Sequence, residues 1–241
     1  MCGRFTLRID GELVSIEWGW TKRLPTHPRF NIAPTQPVWA VRYEEGEARP
    51  VELRWGLIPS WAKDPSIGNR MINARAETLL EKPAFRQAFA KRRCLVLADG
   101  FYEWQGRGKG SKQPFWFRRA DGGLLTFAGL WERWVTPDGE PVETCAIITT
   151  GCNETLRPVH NRMPAIIAPA DRPLWLDCTN PVSAVAPMLV PAPDDLLVAT
   201  PVSAAVNSPA NDNPALIEEA LIEEAPTEAP SAGSSPELEL F

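Results

Sequence analysis

The sequence predicts a β-rich α+β fold, on three observations. Short runs with two-residue alternation recur along the chain, helical periodicity is confined to a few stretches, and no repeat of fixed period occurs. Residues 3–9 alternate polar Arg4, Thr6 and Arg8 with apolar Phe5, Leu7 and Ile9, the pattern of a half-buried strand. Comparable strand runs occupy residues 38–43, 51–55, 94–97, 115–117, 124–130, 144–149 and 165–167. Helices are expected over residues 12–20, over 82–91, where Phe85 and Phe89 stand four apart, and over 172–176. A short helix at 214–225 is also compatible with the pattern. Gly106 to Gly110 (Gly-Arg-Gly-Lys-Gly) reads as a flexible basic hairpin loop; lacking a Gly-Lys-Ser/Thr ending, it is weak as a phosphate cradle. From Glu218 the chain turns to Ala, Pro, Ser and Glu with no basic residue, a composition that cannot bury enough surface to offset its ordering entropy. Residues 218–241 are therefore expected to be a disordered acidic tail, after a domain spanning 1–217.

Length and composition narrow the function classes. The 241 residues suffice for a sizeable core, and 44% hydrophobic against 23% charged is a globular balance. No apolar run is long enough to span a membrane, and no basic segment followed by an apolar one opens the chain, so the expected location is the cytoplasm. Five cysteines (Cys2, Cys94, Cys145, Cys152 and Cys178), no Cys-x-x-Cys and two histidines argue against a disulfide framework or a structural zinc. No metal or cofactor is expected. The net charge of −5 conceals an asymmetry. All 25 Lys and Arg lie at or before Arg172, against 19 acids there, leaving +6; the remaining residues carry 11 acids and no base. A basic body of this kind can meet a polyanion despite a low isoelectric point.

The chemistry begins at the chain end. Met-Cys-Gly puts a small side chain at position 2, the condition under which an aminopeptidase removes Met1. Cys2 then carries an α-amine and a thiol on one carbon skeleton. An α-amine has a pKa of about 7.7–8.0, so roughly a tenth is free base at pH 7, far more than for an ordinary lysine. Such an amine condenses with an aldehyde to a Schiff base, and the neighbouring thiol can close a five-membered thiazolidine. Read alone, Cys2 supports any N-terminal-nucleophile chemistry.

Three segments could serve it. The run Met71-Ile72-Asn73-Ala74-Arg75-Ala76-Glu77-Thr78 places Asn73, Arg75 and Glu77 at alternate positions, on one side if extended. Asp99-Gly100-Phe101-Tyr102-Glu103-Trp104 embeds the Glu103 carboxylate among aromatics, where desolvation raises a carboxyl toward the range of a useful general acid/base. Val159-His160-Asn161-Arg162-Met163-Pro164 holds one of the two histidines beside an arginine. Each has a plain structural alternative: Asn73 as a turn cap, Glu103 paired with an arginine, His160 as a satisfied core histidine.

Seven motifs in order closely resemble the SOS-response-associated peptidase family, understood as abasic-site processing proteins. They are Met1-Cys2-Gly3-Arg4-Phe5, Asn31-Ile32-Ala33-Pro34-Thr35, Arg54-Trp55-Gly56-Leu57-Ile58-Pro59, the run from Ile72 to Thr78, that from Arg93 to Trp104, Ala128 to Glu132, and His160 to Pro164. Residues 202–214, with Val206-Asn207 and Asn211-Asp212, are similar to the family's C-terminal stretch. The resemblance implies a single β-rich domain, a barrel-like mixed sheet with a few peripheral helices, carrying a groove for single-stranded DNA that ends at the processed N-terminus.

It further implies an enzyme of Schiff-base, lyase-like chemistry, active in the SOS response to DNA damage. Cys2 would form a covalent thiazolidine DNA–protein crosslink with the ring-opened sugar of an abasic site, shielding it. Asn73 would orient the amine and sugar hydroxyls, Glu103 would shuttle protons, and His160 would assist proton transfer. Arg4, Arg75 and Arg162 match positions that hold phosphates, as suits planar bidentate donors. Pro34, Trp61 and Met163 would wall the groove against bases. The implied partner is single-stranded DNA containing abasic sites, met by a monomer associated with the nucleoid. Two departures stand out: Leu97 where proline is common, and Ala210 where a basic residue is frequent. Three alternatives compete. An amidotransferase also begins Met-Cys-Gly, but the Asn-Gly-Glu and Arg-Gly-Asp tripeptides that such enzymes use are missing. A peptidase could be limited to autoproteolytic exposure of its own Cys2, and a non-covalent single-stranded DNA-binding module would use the 10 Trp for stacking alone.

Overall fold

The computed structural model describes residues 2–108 and 112–221. Among the described residues, twelve strands form in chain order: β1 (Phe5–Leu7), β2 (Arg29–Ile32), β3 (Pro37–Glu44), β4 (Glu47–Trp55), β5 (Asn73–Arg75), β6 (Arg93–Ala98), β7 (Gly100–Gly106), β8 (Lys112–Arg119), β9 (Leu125–Val135), β10 (Pro141–Gly151), β11 (Arg162–Pro164) and β12 (Leu197–Pro201). Four short α-helices lie among them: α1 (Gly11–Trp18), α2 (Pro83–Lys91), α3 (Arg172–Leu176) and α4 (Val182–Val185). No described helix is long and apolar enough to cross a membrane.

One sheet runs β12-β8-β7-β1-β2. In the other, β10-β4-β3-β6-β9 closes on itself because β9 pairs back to β10. The β10–β4 contact is parallel and the rest of this ring antiparallel, giving the mixed, barrel-like sheet expected. Closure leaves fewer bare edges for aggregation. Beyond the ring, β5 pairs parallel with β10 at Thr149↔Arg75, and β11 pairs antiparallel with it at Gly151↔Arg162. The end of β10 is thus flanked by two short strands that each carry candidate residues.

Local sequence explains key joints. The β3–β4 hairpin turns on Glu45 and Gly46, with φ of 53° and 83°. Positive φ at both central residues is what a two-residue hairpin matched to strand twist demands. At Gly100 a Cβ would collide with the Trp116 indole nitrogen, so only glycine lets β7 lie this close to β8. Asp10 caps α1 through the Glu12 N–H, and Gly19 ends the helix in the left-handed conformation.

The two sheets meet in an aromatic cluster. Phe5 lies 5.1 Å from Trp55 and 6.0 Å from Phe127 between ring centroids, and Phe101 lies 5.9 Å from Phe127. Phe5 and Phe101 belong to the first sheet, Trp55 and Phe127 to the barrel. Burial of such rings dominates core energetics, and here it anchors the chain three residues after Cys2.

Several expectations change. The first strand is not half-buried: Thr6 is as inaccessible as Phe5, because its hydroxyl donates to the buried Asp99 at 2.5 Å. Residues 165–167 make only a bridge, Phe127↔Ile166, while the strand lies just before them. The helix expected at 214–225 is a single 3-10 turn, Pro214–Ile217, followed by an extended stretch where Glu219 bridges Val202 and the Ala220 N–H donates to Pro201 O. Ordered pairing therefore continues to Ala220, past the expected boundary at 217. The disordered-tail expectation for 222–241, and residues 109–110 of the expected hairpin loop, lie outside the described residues.

Candidate active site at the N-terminus

Cys2 enters the seam between the sheets and is fully buried. Its carbonyl oxygen accepts a hydrogen bond of 2.7 Å from the Asn73 amide. Asn73 is delivered by β5, whose approach is set when the Trp55 indole donates to Ile72 O at 2.9 Å. The Asn73 Oδ1 is buried and accepts no hydrogen bond within the described protein. A buried, unsatisfied acceptor costs free energy unless a ligand uses it.

Glu103 projects from β7, which pairs with β1 through Phe5↔Phe101. It is 2% exposed. Burial raises its carboxyl above the ordinary glutamate range, against the opposing positive charges of the amino terminus and of His160. Burial likewise pushes the Cys2 thiol up, with Glu103 adding to the rise and the amino-terminal charge opposing it. This thiol is not a standing thiolate; it needs a base at the moment of reaction.

His160 is half-buried, at the turn before β11. Its Nδ1 lies 3.0 Å from the Arg162 backbone nitrogen and 3.2 Å from the Arg162 carbonyl oxygen, accepting from the one or donating to the other according to the ring's tautomer. Cys2, Asn73, Glu103 and His160 thus converge from four separate segments: Asn73 by contact with Cys2, Glu103 by its field on Cys2, and His160 by its field on Glu103.

The other candidates divide. Arg75 is exposed on β5 and shares a pocket of about 510 Å³ with Trp61, Met71, Asn73, Thr78, Lys82, Pro83, Ala84 and Phe85. Trp61 is 62% exposed there. Pro34 is half-buried beside Thr35, whose φ of 73° is unusual for a β-branched residue; the Thr35 N–H donates to Trp55 O at 2.8 Å and fixes this turn.

Three candidates are engaged within the protein, though the buried Nε of Arg4 and of Arg162 keeps no hydrogen-bond partner among the described residues. Met163 is wholly inaccessible, because β11 pairs on β10 and turns that side chain into the core, so it cannot wall a groove. Arg4 spends its Nη1 on Asn31 Oδ1 and Val206 O, both at 2.8 Å, bracing the chain start against the C-terminal stretch. Arg162 meets Glu77 with two bonds, 2.6 and 2.9 Å, and donates to Thr149 O at 2.6 Å. Glu77 does not share a strand face with Asn73 and Arg75, since residues 76–78 turn into a 3-10 helix.

Sequence reasoning missed Lys82 and Phe85 as pocket residues, and Glu77 as the partner of Arg162. Lys82 carries a signal that was available, a cation just before the proline that opens α2. The Glu77 pairing spans 85 positions and had no local signal.

A closed mixed barrel and a second sheet, joined where the buried Cys2 lies, define a two-sheet α+β protein whose candidate residues gather near its amino end. The family model described as SOS response associated peptidase (SRAP) matches residues 1–209. The chain belongs to this family. It is 43% identical to the abasic site processing protein YoqW of Bacillus subtilis, over 88% of this chain and 97% of that one. It is 36% identical to the abasic site processing protein HMCES of Gallus gallus, over 80% of this chain and 66% of that one. Among solved structures, a protein from Bacteroides thetaiotaomicron superposes with a TM-score of 0.82 at 26% identity, covering 91% of this chain and 100% of the other. One from Bordetella bronchiseptica gives 0.73 at 28%, covering 84% and 100%.

Proposed function

We propose that this protein processes abasic sites in single-stranded DNA by covalent capture on Cys2. The observation that carries the reading is the convergence of the buried Glu103 carboxyl on Cys2, with Asn73 fixing the Cys2 backbone at 2.7 Å. The abasic-site processing named for the bacterial and avian relatives supports the same target.

Hydrolysis of the Met1–Cys2 bond leaves the Cys2 α-amine. Its lone pair adds to the C1′ aldehyde of the ring-opened deoxyribose, forming a carbinolamine. Glu103, whose carboxyl burial shifts toward its protonated form, gives a proton to the departing hydroxyl, and loss of water leaves a protonated Schiff base. That step leaves Glu103 as a carboxylate just when the neutral Cys2 thiol needs a base. The thiol proton passes to the Glu103 carboxylate and restores the acid as the sulfur adds to the iminium carbon, whose nitrogen keeps the proton it already carries. The sum is aldehyde plus aminothiol giving thiazolidine plus water, with no change of oxidation state. Asn73 Oδ1 accepts from the amine or a sugar hydroxyl, and His160 supplies a proton when the ring reopens. A flanking base lies on Trp61 in the adjoining pocket, with phosphate charge met by Arg75 and Lys82.

The test is a denaturing gel of protein incubated with single-stranded DNA bearing one abasic site. A stable shifted band is expected from the wild type and none from Cys2→Ala, whose amine can form only a reversible Schiff base. A stable band undiminished in Cys2→Ala would overturn the assignment. Intact mass supplies an independent check, because a retained Met1 blocks the amine.

A further inference from the structure

We infer that Glu77 is a positioning residue for this site, holding the His160 imidazole and the Asn73 strand in fixed relation through its ion pair with Arg162. The inference rests on the aldehyde chemistry proposed above for what the positioned groups do, though not for the positioning itself.

The geometry is a clamp across the end of β10. On one side β5 aligns Arg75 with Thr149; on the other, β11 aligns Arg162 with Gly151. Glu77 follows β5 by two residues, and its carboxylate takes Nη1 and Nη2 of Arg162 at 2.6 and 2.9 Å. Nη2 also donates to Thr149 O, the residue of β10 that lies between the two flanking strands. Parallel double bonds between a guanidinium and a carboxylate fix orientation as well as distance. The same Arg162 holds His160 Nδ1 at both of its backbone polar atoms, the nitrogen at 3.0 Å and the carbonyl oxygen at 3.2 Å. Rotating or withdrawing Arg162 therefore disturbs His160 directly and loosens the turn that follows Asn73.

The pairing also decides what Arg162 can do. Both terminal nitrogens face Glu77, one of them also serves Thr149, and the side chain is 17% exposed. A DNA phosphate could take that fork only by displacing Glu77, against the repulsion of a carboxylate held charged by Arg162.

Glu77 is itself 54% exposed, so its loss leaves the fold standing, and the effect of Glu77→Gln can be read in folded protein. The chain contains two histidines, His27 and His160, which makes the imidazole nitrogen spectrum directly assignable. In Glu77→Gln and in Arg162→Lys, the His160 nitrogen signals are expected to shift while those of His27 stay put. Crosslinking to abasic single-stranded DNA is expected to slow by about tenfold or more. Affinity of Glu77→Gln for the same strand without the lesion stays within about twofold. Because both residues act as one unit, the double variant should lose no more than the worse single one. His160 signals unmoved in Glu77→Gln overturn the inference, as do moved signals with a wild-type rate. Tighter binding of intact DNA by Glu77→Gln, with a steeper salt dependence, would instead make Glu77 a competitor of phosphate. If the wild type forms no covalent product at all, the proposed chemistry fails while the His160 spectra still decide the positioning role.

Discussion

Strand β7 and the turn before it carry two buried carboxylates, Asp99 and Glu103, four positions apart and alike in sequence terms. Their surroundings differ. Asp99 Oδ1 accepts from the Thr6 hydroxyl at 2.5 Å, and Oδ2 accepts from the Arg8 and Ile9 N–H groups at 2.7 and 3.1 Å. The Arg8 Nε lies 3.1 Å from the same oxygen. All of these partners sit on β1 or just after it, so this carboxylate is a joint that staples β1 to the start of β7. Glu103 faces the positive charges of the amino terminus and of His160, in surroundings dry enough to raise its carboxyl. One end of the strand is locked for stability, and the other holds the carboxyl to which we assign proton transfer.

The widest separation between the two should come from removing Asp99. Asp99→Ala strips a buried charge from Arg8 and leaves two backbone donors unsatisfied, and it should cost about 3–5 kcal/mol of folding free energy. Urea unfolding of the purified variant measures this. A loss under about 1 kcal/mol would mean that water replaces the carboxylate and that Asp99 is no joint.

Glu103→Gln should do the reverse: fold at least as well and react poorly. A carboxyl whose folded-state pKa is raised favours folding while protonated, and that contribution is lost as pH climbs from the ordinary glutamate value through the raised one. Glutamine has no such loss. The variant should therefore gain stability relative to the wild type as pH rises above the usual glutamate range, as thermal melts at several pH values would show. Its crosslinking rate should fall by about 100-fold or more, with little change in affinity for the intact strand. Equal losses in rate and affinity would make Glu103 structural, like Asp99.

The contrast between these carboxylates also marks the limit of what the sequence reveals. Alternating or sharply apolar runs exposed most strands of the barrel, including β3, β4, β6, β9 and β10, and periodicity marked α1 to α3. Strand β7 escaped as an element, because its first four residues, Gly100 to Glu103, are all buried and no two-residue alternation survives when both faces are covered. Cys2, Asn73, Glu103 and His160 were legible as chemistry, since amine–thiol, amide, buried carboxyl and imidazole are rare in combination. What could not be read was which arginines are free. Arg4, Arg75 and Arg162 look equivalent as letters, yet their availability depends on partners up to 202 positions away.

That difference supplies the finest test. Arg75 is exposed, whereas Arg4 is half-buried and tied to Asn31 and Val206. Asn31 in turn donates to the carbonyls of Ser208 and Asn211, so Arg4 belongs to a knot joining β1, β2 and the C-terminal stretch. Arg75→Ala should weaken binding of single-stranded DNA and lower the slope of log affinity against log salt by about 0.7, one released counterion's worth. Arg4→Ala should leave that slope unchanged while costing about 1.5–3 kcal/mol of stability through lost charge-assisted bonds. Fluorescence titrations across a salt series, run beside urea unfolding of the same preparations, separate the two effects. A slope that drops equally in both variants would return Arg4 to the phosphate-binding set and require its knot with Val206 to open when DNA binds.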